Sequence, residues 1–216
     1  VMDCMLTENL NAHLVIMAGG SGTRFWPKST STNPKQFLKF GSDQTLIEQT
    51  YSRFSEIVAP DKTWVVTTEA LSSKVRELLP AHVRVLCEPE GRNTAPCVFW
   101  AAKEIEKEDP HAVMLMMPSD HSIADLDSFQ ATVEKAVEHA NRQKDLITLG
   151  VQPTRPETGY GYLKMGKEIS EEVSEVAQFV EKPDLEKAKT YLASGEYLWN
   201  GGMFVWSIPA ILDAFR

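Results

Sequence analysis

The chain has 216 residues, and its 22 basic and 30 acidic side chains give a formal net charge of −8. Apolar residues make up 43% of the chain and only 3 residues are cysteine, which excludes intrinsic disorder and a small disulfide-stabilised fold. The acidic balance and the lack of an apolar run of about 20 residues predict binding neither to nucleic acid nor to a membrane.

Short apolar runs alternate with helical patterns over the first two thirds of the chain. Strands are predicted at 14–17, 64–67, 83–86, 113–116 and 147–149, and helices at 46–57, 71–79, 94–108 and 126–137. Thr45 and Glu48 have the spacing of a capping box at the start of the first helix. This alternation predicts an α/β fold with right-handed βαβ units on a mostly parallel sheet, and the unbroken apolar strands predict helices on both of its faces.

The pattern changes after Gly150. Half-polar strands are predicted at 160–164 and 176–180, followed by a helix at 185–193. We interpret this part as an excursion of the same domain that covers the open edge of the site, so residues 1–216 are expected to be one domain with no second domain. A helix that begins near Pro209 has no Gly or Asn stop before Arg216. That pattern predicts a domain truncated at its C-terminus, with an exposed apolar patch that would favour self-association into a homo-oligomer.

The cysteines Cys4, Cys87 and Cys97 form no CxxC pair. Zinc-type spacing is therefore absent, and the odd number indicates reduced thiols of a cytoplasmic protein.

A glycine-rich segment, GGSGTR at 19–24, directly follows the first predicted strand. It is neither a Rossmann GxGxxG nor a P-loop, because the third glycine and the Gly-Lys-Ser/Thr end are missing. Residues 19–40 contain Arg24, Lys28, Lys35 and Lys39 and no acid. This basic segment is either a solvated loop or a site for an anionic ligand, and its place at the end of a strand favours the site.

Asp120 stands at the end of the fourth apolar strand, between Ser119 and His121. A carboxylate in that position either presents a hard oxygen to Mg²⁺ or caps the following turn. His121 has no suitably spaced His or Cys partner, so a structural or supporting histidine is favoured over a zinc ligand.

Three later segments carry weaker signals. Glu181 and Lys182 end a strand, where neighbouring side chains point to opposite faces unless the backbone twists, so a surface pair is the default. The segments 157–162 and 199–204 place small residues beside aromatic ones. Such surfaces suit a sugar, but they are equally typical of turns flanked by core aromatics.

Taken together, these segments resemble the sugar-nucleotide pyrophosphorylases, and most closely their bacterial mannose-1-phosphate guanylyltransferase branch. The motifs that carry the resemblance are GGSGTR at 19–24, PKQFL at 34–38, EPEGRNTAP at 88–96, PSDH at 118–121, PETGYGY at 156–162, FVEKP at 179–183 and WNGGMF at 199–204. Phe25 stands where most members have Leu, and Gly201 where Ser is common. Neither departure touches a charged group.

The resemblance implies a Rossmann-like, three-layer αβα nucleotidyltransferase fold with a mostly parallel central sheet. It also implies a Mg²⁺-assisted reaction in which GMP passes from GTP to α-D-mannose 1-phosphate, giving GDP-mannose and pyrophosphate. The nucleophile would be a phosphate oxygen, which is already ionised near neutral pH because its second pKa is about 6. No general base is then required, in agreement with the lack of a His/Asp or Cys/His constellation.

The same resemblance assigns roles to individual residues. Arg24 and Lys35 would neutralise the triphosphate and the leaving pyrophosphate, Asp120 would hold Mg²⁺, and Lys182 would hold the sugar phosphate. Mannose hydroxyls would bind Gly161, Glu181 and Asn200, and the nucleotide pocket would include Arg92, Asn93 and Thr94. The other implied substrate-binding residues are Gly19, Gly20, Ser21, Gly22, Thr23, Glu88 and Ser119.

Three alternatives stay open. The cytidylyltransferases of isoprenoid synthesis share the glycine loop and the Pro-Lys-Gln motif, but should lack the Glu-Lys-Pro and Trp-Asn-Gly-Gly segments. A related nucleotidyltransferase could use another sugar 1-phosphate. The chain could also be a truncated nucleotide-binding module with little activity, because a second metal carboxylate in this family comes from a later segment.

Overall fold

The computed structural model describes residues 10–20, 26–30, 32–91, 93–170 and 172–216. The chain divides into two compact units. The first unit comprises the chain up to Ile147 together with Phe204–Arg216, and the second unit is Thr148–Met203. The expectation of one domain over residues 1–216 stays a prediction.

A parallel sheet forms the centre of the first unit. Its strands are β1 (Ala12–Met17), β2 (Thr63–Thr68), β3 (Arg84–Glu88) and β4 (Val113–Pro118), in the order β3-β2-β1-β4. β2 and β3 thus lie on one side of β1, and β4 lies on the other, so the order in which strands are added changes direction between β1 and β4. In open α/β sheets, ligands bind outside the carboxyl ends of the strands at such a point.

The helices of the described residues are α1 (Leu46–Ser52), α2 (Glu69–Leu78), α3 (Thr94–Glu106), α4 (Leu126–Arg142), α5 (Leu185–Ser194) and α6 (Ile208–Ala214). In the first unit, α3 and α6 pack on the sheet face that carries Val15 and Met114. The alternate residues of β1, Leu14 and Ile16, are completely buried as well. Both faces of this sheet are therefore covered, and the predicted α/β fold class is confirmed.

The predicted capping box of α1 is confirmed. The backbone N–H of Glu48 donates to Thr45 Oγ1 at 3.4 Å, and that of Thr45 donates to Glu48 Oε2 at 2.8 Å. The helix itself ends at Ser52, five residues before the predicted end of the apolar stripe. Phe54 and Ile57 are still buried, because they pack from the turns that follow.

The second unit contains most of β5 (Ile147–Val151), together with β6 (Gly161–Ser170), β7 (Val173–Val180) and the first part of β8 (Tyr197–Ser207). In this sheet β6 pairs antiparallel with both β7 and β8. The two predicted half-polar strands are thus confirmed and are longer than expected. A small core of Tyr162, Tyr197, Trp199 and Ala188 joins this sheet to α5.

The sequence did not predict β8, which has 11 residues. Two adjacent glycines, Gly201 and Gly202, interrupt its pattern and indicated a turn instead. Gly202 does adopt a left-handed conformation (φ +68°), but the strand continues past it. The last part of β8 pairs with β4 in the first unit, where Ser207 lies opposite Val113.

Candidate active site

A cleft of about 560 Å³ opens at the carboxyl ends of β1, β2 and β3 in the first unit. It is lined by Met17, Gly19, Gly20, Val66, Thr68, Ala70, Leu71, Glu88, Gly91, Thr94 and Cys97. Four of the predicted substrate-binding residues, Gly19, Gly20, Glu88 and Thr94, are thus brought together around one space.

Two side chains hold the start of the glycine-rich segment in place. The carbonyl oxygen of Ala18 accepts hydrogen bonds from Thr67 Oγ1 and Gln36 Nε2, both at 3.0 Å. Gln36 Nε2 also donates to the carbonyl oxygen of Gly20 at 3.2 Å, and the side chain is almost completely buried. Sequence reasoning did not single out Gln36 as a site residue, although it directly follows Lys35 in the PKQFL motif.

Glu88 places a buried carboxylate in the cleft. The residue is 9% exposed, and its Oε2 lies 3.3 Å from the position that a Cβ atom on Gly19 would occupy. Glycine at position 19 therefore leaves space beside the carboxylate. Burial raises the pKa of Glu88 above its usual range. Burial, together with the nearby charge of Glu88, also raises the pKa of the Cys97 thiol to about 12.

The amino end of α3 also borders the cleft. The residue before the helix is Asn93, whose side chain makes no capping hydrogen bond, and the first turn contains no acid. Backbone N–H groups at a helix start attract anions through the helix dipole. The cleft thus combines an acceptor at Glu88 with a positive helix end beside Thr94.

Lys35 and Asp120 form an ion pair, with Nζ 3.2 Å from Oδ2. Lys35 begins a 3-10 turn that Gln36 and Phe37 complete, and the ammonium of Lys74 lies 5.0 Å from the centre of the Phe37 ring. Asp120 lies just beyond the end of β4. Two residues that are 85 positions apart in the sequence are thus in contact, as expected if both act on one polyanion and its metal ion.

The turn that carries Asp120 is supported from both sides. The buried Arg53 donates through Nη2 to the carbonyl oxygen of His121, and the N–H of the buried Ser119 donates to the carbonyl oxygen of Met17 at 3.2 Å. Burial lowers the pKa of His121, so its imidazole is neutral at pH 7. The supporting role of the His121 side chain and the substrate contact of Ser119 both stay predictions.

Asp120 supplies one carboxylate that could hold a hard cation together with a substrate. No group of three or more His, Cys, Asp or Glu side chains that could hold a metal ion occurs among the described residues. Mg²⁺ is commonly bound by one or two carboxylates, with substrate phosphates and water completing its shell. Asp120 meets that requirement through its carboxylate oxygens, one of which already neutralises Lys35.

In the second unit, Gly161 lies opposite Asn200 in the β6–β8 register. A Cβ atom at position 161 would lie 3.0 Å from Glu181 Oε2, 3.5 Å from Asn200 Cβ and 3.5 Å from Phe179 Cε1. The three residues predicted to bind mannose are therefore neighbours, namely Gly161, Glu181 and Asn200. Gly161 has no side chain that would cover the backbone between the other two.

The amide of Asn200 has a fixed orientation. Its Oδ1 accepts the N–H of Gly202 at 3.1 Å and lies 3.5 Å from the hydroxyl of Thr148, which is nearer to the carbonyl oxygen of Met203, at 3.3 Å. The Nδ2 group therefore points the other way, and no residue in the described part of the chain accepts a hydrogen bond from it. Asn200 thus offers donors where Glu181 offers acceptors.

The backbone twists at Lys182, which has φ +41°. This left-handed conformation is uncommon for a residue other than glycine. It breaks the alternation of the strand, and Lys182 Nζ lies 3.0 Å from Glu181 Oε1. The charged groups of Glu181 and Lys182 therefore lie on the same side of the chain, which the strand pattern by itself did not predict.

The aromatic rings of the two glycine-containing segments differ in burial, and Tyr160 is 42% exposed. Tyr162 is completely buried and Trp199 is 7% exposed. The hydroxyl of Tyr162 donates to the carbonyl oxygen of Glu157 at 2.9 Å. Tyr162 and Trp199 are therefore core aromatics, whereas the sugar-facing interpretation of the two segments stays a prediction.

Several predicted site residues lie outside the described residues. They are Ser21, Gly22, Thr23, Arg24 and Arg92.

Comparison with known proteins places this geometry in a family. The model of the nucleotidyl transferase family matches residues 13–212. The chain belongs to the nucleotidyl transferase family. The chain is 40% identical over 211 residues to a mannose-1-phosphate guanylyltransferase of Escherichia coli, and 42% identical over 205 residues to the xanthan biosynthesis protein XanB of Xanthomonas campestris pv. campestris. Each alignment covers 94% of this chain.

A solved structure shares the fold of the nucleotidyl transferase chain. It is the crystal structure of a Thermus thermophilus protein described as a mannose-1-phosphate geranyltransferase, with a TM-score of 0.88 and 33% identity over 95% of this chain and 60% of that one. This chain spans 43–44% of the length of the XanB and Escherichia coli relatives. Among the described residues, no helix has the length and apolar character that crossing a membrane would require.

Proposed function

We propose that this nucleotidyl transferase moves GMP from GTP to α-D-mannose 1-phosphate and releases pyrophosphate. Its similarity to a mannose-1-phosphate guanylyltransferase supports the reaction class and the sugar. The observation that carries the choice of nucleotide is the buried carboxylate of Glu88 in the glycine-lined cleft.

A carboxylate such as Glu88 accepts hydrogen bonds and donates none when it is ionised. The Watson–Crick edge of guanine presents two adjacent donors, N1–H and the 2-amino group, which match the two oxygens of a carboxylate. The same edge of adenine offers an acceptor at N1 in place of the first donor. A buried carboxylate that faces adenine would lose one partner, and that loss is costly in a site shielded from water.

The phosphates are assigned to Arg24 and to Lys35, which contacts Asp120 just beyond the end of β4. Lys35 and Arg24 would neutralise the triphosphate and then the leaving pyrophosphate. Asp120 would hold Mg²⁺, which supplies further positive charge to the phosphate oxygens when it is bound. The contact between Lys35 and Asp120 supports this placement, because it sets a cation and a carboxylate 3.2 Å apart.

The sugar phosphate is assigned to the second unit. Lys182 would bind the phosphate group of mannose 1-phosphate as a point charge. Sugar hydroxyls both donate and accept, and Glu181 and the fixed amide of Asn200 provide the two complementary partners. Gly161 lets the ring approach the backbone between them.

The chemical step forms a bond between a sugar-phosphate oxygen and the α-phosphorus of GTP and breaks the bond from that phosphorus to pyrophosphate. The nucleophile is ionised near neutral pH, so no proton has to be removed. The neutral His121 is thus not required as a base. The residues contribute by orienting two anions and neutralising their charge, which are the main sources of rate in phosphoryl transfer.

Pyrophosphate release tests the proposal directly. GTP, ATP, CTP and UTP would each be combined with mannose 1-phosphate and with glucose 1-phosphate in the presence of Mg²⁺. We expect the highest kcat/KM for GTP with mannose 1-phosphate. Preference for another nucleotide would refute the role of Glu88, and preference for glucose 1-phosphate would reassign the sugar. Nucleotide binding without release would favour a binding module.

A further inference from the structure

An exposed aromatic ring stands beside the residues assigned to the sugar. Phe179 lies on β7, and 52% of its surface is exposed. Its Cε1 atom is 3.5 Å from the position of a Cβ atom on Gly161, on the side where Glu181 Oε2 and Asn200 Cβ also converge. The ring thus borders the backbone of Gly161, as do the acceptor Glu181 and the donor Asn200.

We propose that Phe179 forms the apolar wall of the sugar site and contacts the C–H groups of a hexose 1-phosphate. The inference rests on the proposed function, because it takes Glu181, Asn200 and Lys182 as the polar part of that site. Phe179 begins the FVEKP motif, from which the sequence assigned roles only to Glu181 and Lys182.

The chemistry of a hexose matches this arrangement. A pyranose ring carries hydroxyl groups around its rim and C–H groups on its faces, so it needs both polar partners and an apolar surface. Glu181 accepts, the Nδ2 group of Asn200 donates, and Phe179 supplies the apolar surface. Sites for small molecules generally combine a few convergent polar groups with aromatic walls.

Phe179 also has a structural neighbour, which the experiment has to separate from the ligand role. Its cross-strand partner on β6 is Leu163, which is 3% exposed. If the ring only shields Leu163, then removing it lowers stability and leaves the affinity for the sugar phosphate unchanged. If the ring forms the wall of the sugar site, then removing it raises the KM for the sugar phosphate selectively.

The test compares Phe179→Ala, Phe179→Tyr and a matched control, Ile169→Ala. Ile169 is also 52% exposed and lies on β6, eight positions beyond Gly161. We expect Phe179→Ala to raise the KM for mannose 1-phosphate about tenfold while the KM for GTP is unchanged, because apolar contact with one sugar face is lost. Phe179→Tyr keeps the ring and should restore most of the affinity, and Ile169→Ala should leave both KM values unchanged.

Several outcomes would overturn the inference. They are a KM for mannose 1-phosphate in Phe179→Ala within twofold of the unsubstituted chain, equal increases in both KM values, and a lower unfolding temperature with no KM change. The proposed function is tested separately by Glu181→Gln. If that variant loses affinity for the sugar phosphate and Phe179→Ala does not, the function stands and the wall is refuted. If neither the unsubstituted chain nor any variant uses a sugar phosphate, the proposed function is refuted, and the inference about Phe179 is refuted with it.

Discussion

Replacing Glu88 with Gln changes one property of the nucleotide cleft and keeps its shape. The substitution preserves the size of the side chain, removes its charge and turns one of the two acceptors into a donor. At a residue that is 9% exposed, water cannot compensate for the mismatch. We therefore expect Glu88→Gln to weaken the use of GTP while the fold stays intact.

The magnitude follows from the hydrogen bonds that Glu88 is proposed to make. A hydrogen bond to a charged group contributes about 1.5–3 kcal/mol, and about 1.4 kcal/mol corresponds to a factor of ten. Losing one such bond should lower kcat/KM for GTP by about 10- to 150-fold.

The stability of the Glu88→Gln variant should move in the opposite direction. The raised pKa of Glu88 means that its ionised form is disfavoured in the fold, and stability falls as the pH rises through the window between its ordinary and its raised pKa. At pH values above that window, Glu88→Gln removes this penalty and should unfold at the same temperature or higher.

Inosine triphosphate provides the matched assay for Glu88. It lacks the 2-amino group of guanine and therefore one of the two proposed donors. The unsubstituted chain should prefer GTP over inosine triphosphate, and Glu88→Gln should lose most of that preference. Protonation should act like the substitution, so the preference should also fall as the pH drops through the raised pKa of Glu88. A uniform loss with both nucleotides, at an unchanged ratio, would refute recognition of guanine by Glu88.

Three further predictions concern the charged residues and the thiols. Asp120→Asn should lower kcat by about 100-fold or more at saturating Mg²⁺ without changing the circular dichroism spectrum, because an anionic ligand is lost; a near-normal kcat would contradict this. Lys35→Ala should mainly raise the KM for GTP and Lys182→Ala the KM for mannose 1-phosphate, whereas equal effects on both KM values would show that the two phosphates are not divided between them. In a Cys4→Ser variant, Cys87 should react with maleimide at pH 7.5 while Cys97 stays unmodified, because burial raises the pKa of the Cys97 thiol to about 12. Rapid modification of Cys97, detected by peptide mass spectrometry, would show that the cleft admits water more freely than its burial indicates.

The sequence determined the local elements of this chain because their signals are short-range. The alternation of apolar runs and helical stripes predicted β1 to β4 and α1 to α4, and the spacing of Thr45 and Glu48 fixed the start of α1. The sequence also identified Lys35 and Asp120 through their motifs, and the structure brings them into contact. The family motifs supplied the assignment to nucleotidyl transferases, which the comparisons confirmed.

Tertiary structure decided the features that depend on residues far apart in the chain. β8 is a strand because β4 and β6 pair with it, and no local pattern outweighs the two glycines at its centre. Gln36 supports the glycine segment through carbonyl groups that its neighbours in the sequence do not provide. The direction of the Asn200 amide is set by the N–H of Gly202, so only the folded chain shows which way its Nδ2 group points. Burial and orientation arise when separate segments meet, and a sequence pattern records neither.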